Sequence, residues 1–225
     1  MKPSRSSSLW LSVVLALGLA LLWQSAWVLP LKTLVVFFHE VSHLLTALFT
    51  GGEVLEMRIV PQQGGSVLTR GGMPFLILMA GYLGSLVFGV VLFEFADATR
   101  LDRWVVGALG LLLAVLTVVY MKGWYGWGFG LGSALTFMLV AALLGHTVND
   151  LLLRVVGLMS MMYVPLDIWS DTLARPDMMS DARMLAIAHG GTVQLWGILW
   201  LLASVVVIGV TLWRAFHRPA RKAHV

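Results

Sequence analysis

The chain has 225 residues, of which 59% are hydrophobic and 12% charged, and its mean hydropathy is positive; that balance excludes an ordinary soluble domain and implies an integral membrane protein. The formal charge of +4 does not point to nucleic acid, because the basic residues gather at the ends, in "MKPSR" and "RAFHRPARKAH", where they read as membrane-surface charge. There is no cysteine, so disulfides, thiolate metal sites and thiol nucleophiles are excluded, and any metal must be held by His, Asp or Glu.

Apolar windows close to the roughly 20 residues a helical span requires occupy about 9–29, 31–50, 74–96, 104–121, 128–145, 148–166 and 193–213. Little chain is left between them, so residues 1–225 form a single membrane-embedded domain. The first window outruns the apolar core of a signal peptide, and "WQSAWVLP" is a poor cleavage site, so it is read as a span. Lys2 and Arg5 at one end, and Arg214, Arg218, Arg221 and Lys222 at the other, place both termini in the cytoplasm. The number of crossings is then even. Six are expected, with 128–166 crossing once in net terms as a broken helix, because Asp150 and Arg154 interrupt the start of its second window. Tryptophans such as Trp10, Trp23, Trp27, Trp124, Trp127 and Trp196 fall near span ends, as interfacial belt residues do. The predicted fold is an all-α polytopic membrane protein of about six transmembrane helices.

The second window contains "VVFFHEVSHLLTAL", residues 35–48. His39-Glu40-Val41-Ser42-His43 fits HExxH, in which histidines at i and i+4 share one helix face and together bind a Zn²⁺ ion. Glu40 lies beside that face, placed to take a proton from water acidified by the metal and to pass it to a leaving amine. Chance HExxH matches usually sit on solvated helices. A glutamate in the middle of an apolar helix costs about 2.5–3.5 kcal/mol, if it behaves like aspartate on the insertion scale, unless something binds it.

After this helix comes "GGEVLEMRIVPQQGGSVLTRGG", where Leu55, Met57 and Ile59 alternate with Glu56 and Arg58, the period of a strand with one wet face. With "PQQGG" as the turn it reads as a short β-hairpin, whose edge could take up an unwound peptide by strand addition. The third metal ligand must reach in from elsewhere. Glu53 and Glu56 follow His43 too closely, and Phe49 stands where a compact HExxHxxGxxH site would have its last histidine. Asp150, Asp167, Asp171, Asp177 and Asp181 remain. Asp167, two residues after Pro165 at the end of an apolar run, has the best context, and Asp171, one turn on, is a partner or substitute. Asp177 and Asp181 lie in "RPDMMSDAR", where a solvated loop or a helix cap at Ser180 explains them without metal. His146, His189 and Asn149 are further candidates for oxyanion contact, although such residues are more often interfacial.

With "FFHEVSHLLTALFTGGEV", the hairpin segment, "AGYLGSLVFG" and "YVPLDIWSD", the chain resembles the site-2 protease family of intramembrane zinc metallopeptidases, in its small bacterial branch without a PDZ domain. The resemblance implies a multi-pass protein of the cell membrane, the inner membrane in a bacterium. It also implies hydrolysis of peptide bonds in or near a transmembrane helix of a membrane-protein substrate. The family's third ligand comes from an LDG segment, whereas here Pro-Leu-Asp167 is followed by Ile-Trp. Two other readings compete: a transporter or ion pathway using His39, Glu40 and His43, and an inactive scaffold that keeps the metal. A transport route usually recruits polar residues from several spans and shows repeated halves, which this sequence lacks. A purely structural zinc has no need of Glu40.

Overall fold

The structure, a computed structural model, describes residues 5–22, 25–62, 64–98 and 101–217. Lys2, Arg218, Arg221 and Lys222, which contribute to the expected orientation, and Trp23 lie outside the described residues. The helices are α1 (Arg5–Leu21), α2 (Leu29–Phe49), α3 (Pro74–Ala98), α4 (Asp102–Tyr120), α5 (Trp124–Leu143), α6 (His146–Ile168), α7 (Asp181–His189) and α8 (Val193–His217). The strands are β1 (Glu53–Val60), β2 (Gly64–Arg70) and β3 (Met121–Lys122).

Among the described residues six helices are long and apolar enough to cross a membrane, namely α2 to α6 and α8. The number is the expected one, but it is made up differently. Residues 128–166 are not one broken crossing: α5 and α6 are separate helices, each long enough by itself. The first window is instead too short. At 17 residues, α1 reaches about 25 Å at 1.5 Å per residue, against a hydrocarbon core of about 30 Å.

The core packs α2 against α3 and α3 against α6, antiparallel in both cases. Phe38 stacks on Phe88 with ring centroids 5.1 Å apart, and the Ser160 hydroxyl donates to the Ser85 carbonyl at 2.8 Å. Gly84 and Gly89 permit this closeness, since a Cβ at the first would strike Ser42 and at the second the backbone of Gly157. These pairings divide the molecule into two faces. One carries the starts of α2, α4 and α6 and the ends of α3, α5 and α8; the other carries the end of α2, the sheet, the end of α6 and α7. Trp10 packs on Phe216 at 5.9 Å, so α1 and α8 meet at the first, or termini, face.

The α2 helix opens with Pro30 in its first turn, where no amide partner is lost, and stops where Gly51 takes φ +80°. The amide of Gly52 then donates to the Ala47 carbonyl at 2.8 Å and turns the chain into β1. The expected hairpin is present, with β1 antiparallel to β2. A register shift between Val54 and Glu56 modifies the expected alternation: Val54, Met57 and Ile59 point into the core, while Leu55 is exposed. The two-residue β3 adds in parallel on the other side, giving the order β2-β1-β3 and leaving β2 as an edge.

Asp150 and Arg154, which made the sixth window doubtful, are explained at the termini face. The Arg154 guanidinium is buried, donating to Asp150 at 3.0 Å and to the Ala96 carbonyl at 3.2 Å, with Asp97 3.6 Å away. His146 lies 2.6 Å from the buried Asp102 carboxylate. Asn149 donates to the carbonyls of Val140, Leu144 and Gly145 and so ties the α5–α6 turn.

Candidate metal centre

Because α2 is helical throughout, His39 and His43 point the same way, toward α3 and the hairpin face. They lie ten and six residues before Phe49, which puts them about 15 and 9 Å below that end of the helix. His43 Nδ1 lies 2.6 Å from the Ile77 carbonyl in the first turn of α3. A carbonyl can only accept, so this nitrogen carries the proton, and in the neutral ring Nε2 keeps its lone pair for the centre. His39 packs edge-on against Tyr82, with ring centroids 4.8 Å apart.

The third group is Asp181. Its Oδ2 lies 3.0 Å from His39 Nε2 and 3.2 Å from His43 Nε2. Asp181 stands in the first turn of α7, where the helix dipole favours a carboxylate, and the Ser180 hydroxyl caps the same helix by accepting from the Arg183 amide at 3.3 Å. Ala182 and Leu185 are fully buried and lock α7 onto the bundle. Gly81 leaves the space in which the groups meet, since a Cβ there would collide with both His39 Nε2 and Asp181 Oδ2. Burial alone would push the Asp181 carboxyl up, but His43 and His39 beside it hold it well below the usual carboxylate range.

This donor set suits a metal. The ligand atoms of His39, His43 and Asp181 all fall within 4.8 Å of one another. Two ligands of a tetrahedral ion with bonds near 2 Å stand about 3.3 Å apart, close to the separations found. Two imidazole nitrogens and one carboxylate oxygen are donors that zinc takes readily, and three protein ligands leave a position open. Glu40, next to His39, is buried directly beneath Gly65 of β2, where a Cβ would occupy the place of its carboxylate. A cavity of about 760 Å³ joins these groups to β2, lined along residues 64–69 on one side and by the end of α6 and the approach to α7 on the other.

The geometry brings together His39, Glu40 and His43 as expected, but the aspartate within reach of both imidazoles is Asp181 rather than Asp167. Asp167 lines the same cavity, near the end of α6, and hydrogen-bonds with Tyr163. Just beyond it the backbone widens into a π-helical turn, Trp169–Ala174. Asp171, on that turn, accepts from the Tyr82 hydroxyl at 3.2 Å and from Arg175 at 2.8 Å, so it meets His39 only through Tyr82. Of the remaining candidates, Asp150, His146 and Asn149 belong to the termini face, His189 packs against Phe75 at 5.2 Å, and Asp177 is fully exposed. No local pattern in the sequence singles out Gly65, Gly81 or Tyr82. The glycine pairs and "AGYLGS" were visible signals, but nothing in them says which side chain each glycine faces.

No curated protein and no solved structure matches the chain. The family model described as Peptidase M50B-like matches residues 11–211, nearly the whole length and including every residue of the centre. The chain therefore belongs to the Peptidase M50B-like family, in agreement with the resemblance to site-2 proteases carried by its HExxH helix.

Proposed function

We propose that this protein is an intramembrane zinc metalloendopeptidase that cleaves membrane proteins in or near a transmembrane segment. The observation that carries the reading is the convergence of His39, His43 and Asp181 beside Glu40, under the free edge of β2. His39, His43 and Asp181 would hold zinc, with Asp181 taking the position for which Asp167 had the best sequence context. Zinc bound there would supply Lewis acidity toward water and toward the scissile carbonyl.

The chain's own residues supply the rest. A peptide bond inside a helix is screened by its own hydrogen bonds, so the substrate must be unwound, and its freed amides and carbonyls need partners in a dry setting. The unpaired edge of β2 offers those partners by strand addition, and Gly64 and Gly65 carry no side chain that would hold a second backbone away from Glu40. Glu40 takes a proton from the attacking water and delivers it to the leaving amine. The Ile77 carbonyl fixes the His43 ring, and Tyr82 supports His39.

The test is cleavage of a model transmembrane substrate by detergent-purified protein. Activity should vanish with a chelator and return with zinc. Cleavage indifferent to chelation would remove the metal mechanism, and zinc binding with no cleavage of any membrane substrate would favour the inactive scaffold.

A further inference from the structure

The cavity that joins the centre to β2 is chemically uneven. On the His39 side its wall is polar: Tyr82 packs on His39 and donates to Asp171, and Asp167 hydrogen-bonds with Tyr163. On the Asp181 side it is apolar. Met178 and Met179 precede Asp181 by three and two residues in the approach to α7, and Met184 follows it by three. All three line the cavity, together with Ile77 and Leu78 from the start of α3, where the Ile77 carbonyl holds His43.

The geometry of α7 produces this wall. Positions i and i+3 of a helix share a face, so Met184 points the same way as Asp181, whereas Ala182 and Leu185 turn into the bundle and are fully buried. Packing of α7 accounts for Ala182 and Leu185 but not for the methionines, of which Met178 is 43%, Met179 68% and Met184 38% exposed. Across the cavity Gly64 and Gly65, the part of β2 above Glu40, carry no side chain that would cover them. Apolar surface left open beside a reaction centre gains free energy when an apolar group covers it. Methionine, unbranched and polarizable, adapts to partners of different shape.

We infer that Met178, Met179 and Met184 form a specificity pocket that receives one large apolar side chain of the substrate, at a residue flanking the scissile bond. This rests on the protease reading and narrows it. A strand paired with β2 turns alternate side chains toward the face on which Gly65 covers Glu40. The one that lies toward α7 meets the methionines. A charged side chain in that place loses its water and gains no counter-charge from them, so the pocket selects by excluding charge as well as by contact. Leucine, methionine and phenylalanine are all accepted, because the wall adapts to each.

The test varies the residue on each side of the cut in a model transmembrane substrate and measures kcat/KM for the wild type, Met184→Glu and Met184→Lys, with zinc content checked in each. At one of the two positions leucine, methionine or phenylalanine should be cleaved about 10- to 100-fold faster than aspartate or lysine. Met184→Glu should favour the lysine substrate over the aspartate substrate by about tenfold, and Met184→Lys the reverse. An unchanged ranking in both variants, or an equal loss for every substrate, would overturn the pocket. Because the chain has no cysteine, Met184→Cys combined with Glu40→Gln gives a second readout that needs no cleavage. Under a mild oxidant it should form a disulfide with single-cysteine substrates only when the cysteine occupies a window of one or two positions. Cross-linking spread evenly along the substrate, or none at all, would overturn the pocket. A narrow window in a protein whose wild type cleaves no membrane substrate would keep the pocket and remove the protease reading.

Discussion

The two faces of this bundle both bury charge, and they do so in opposite ways. At the termini face Arg154 and Asp102 have counter-charges at hand: Arg154 lies among Asp150, Asp97 and the Ala96 carbonyl, and Asp102 is beside His146. At the hairpin face His39, His43 and Asp181 turn their acceptor atoms toward a single point, and among the described residues neither lysine nor arginine pairs with them there. The first arrangement sets opposite charges side by side and closes helix ends. The second leaves lone pairs facing one another, which a cation or protons must reconcile. Buried charge by itself therefore does not mark a reaction site, whereas convergent donors beside a cavity do.

The sharpest way to break this contrast is to remove the proton carrier while keeping the metal. Glu40→Gln should lower cleavage by about 10²–10⁴-fold or more with zinc content unchanged, and His39→Ala should lose both. Zinc analysis beside a cleavage assay separates the two outcomes, and loss of zinc in Glu40→Gln would make Glu40 a ligand instead. A smaller effect is expected from Gly65→Val, which drives a side chain into the space of the Glu40 carboxylate. Cleavage should fall by about 100-fold with zinc retained, a misplacement effect, and wild-type turnover would mean that the β2 edge does not lie over the reacting groups. Tyr82→Phe keeps the ring against His39 but breaks the bond to Asp171. A zinc affinity weakened by about tenfold, measured by competition with a chromogenic chelator, is the expected scale for a group that only orients a ligand. The least effect on cleavage belongs to the termini face. Arg154→Met should destabilise the protein by about 3 kcal/mol or more in thermal unfolding, by leaving buried carboxylates uncompensated, while cleavage per folded molecule stays at the wild-type level. A drop in specific activity would show that the two faces are coupled.

Much of this was legible in the sequence. His39, Glu40 and His43 stand out because nothing else in residues 35–48 ionises, and the hairpin is marked by its period and glycine pairs. What stayed hidden depends on three-dimensional return of the chain. The parallel pairing of Met57 with Met121 joins residues far apart in sequence and occupies only two positions, so no local pattern marks β3. Asp181 lies in a charged stretch in which a helix cap at Ser180 by itself explains the aspartate. The cap is real, and the same helix start that Ser180 caps aims Asp181 at the imidazoles. Asp167 drew attention through Pro165, which does sit inside a helix, but the turn that follows directs Asp171 toward Tyr82 and leaves Asp167 beside Tyr163.

The central claim is that Asp181 completes the metal site, and the most direct measurement is the zinc content of two purified variants, Asp181→Ala and Asp167→Ala, compared with the wild type. The account predicts stoichiometric zinc in the wild type and in Asp167→Ala, and its loss, together with cleavage, in Asp181→Ala. Full zinc in Asp181→Ala with loss in Asp167→Ala would contradict it.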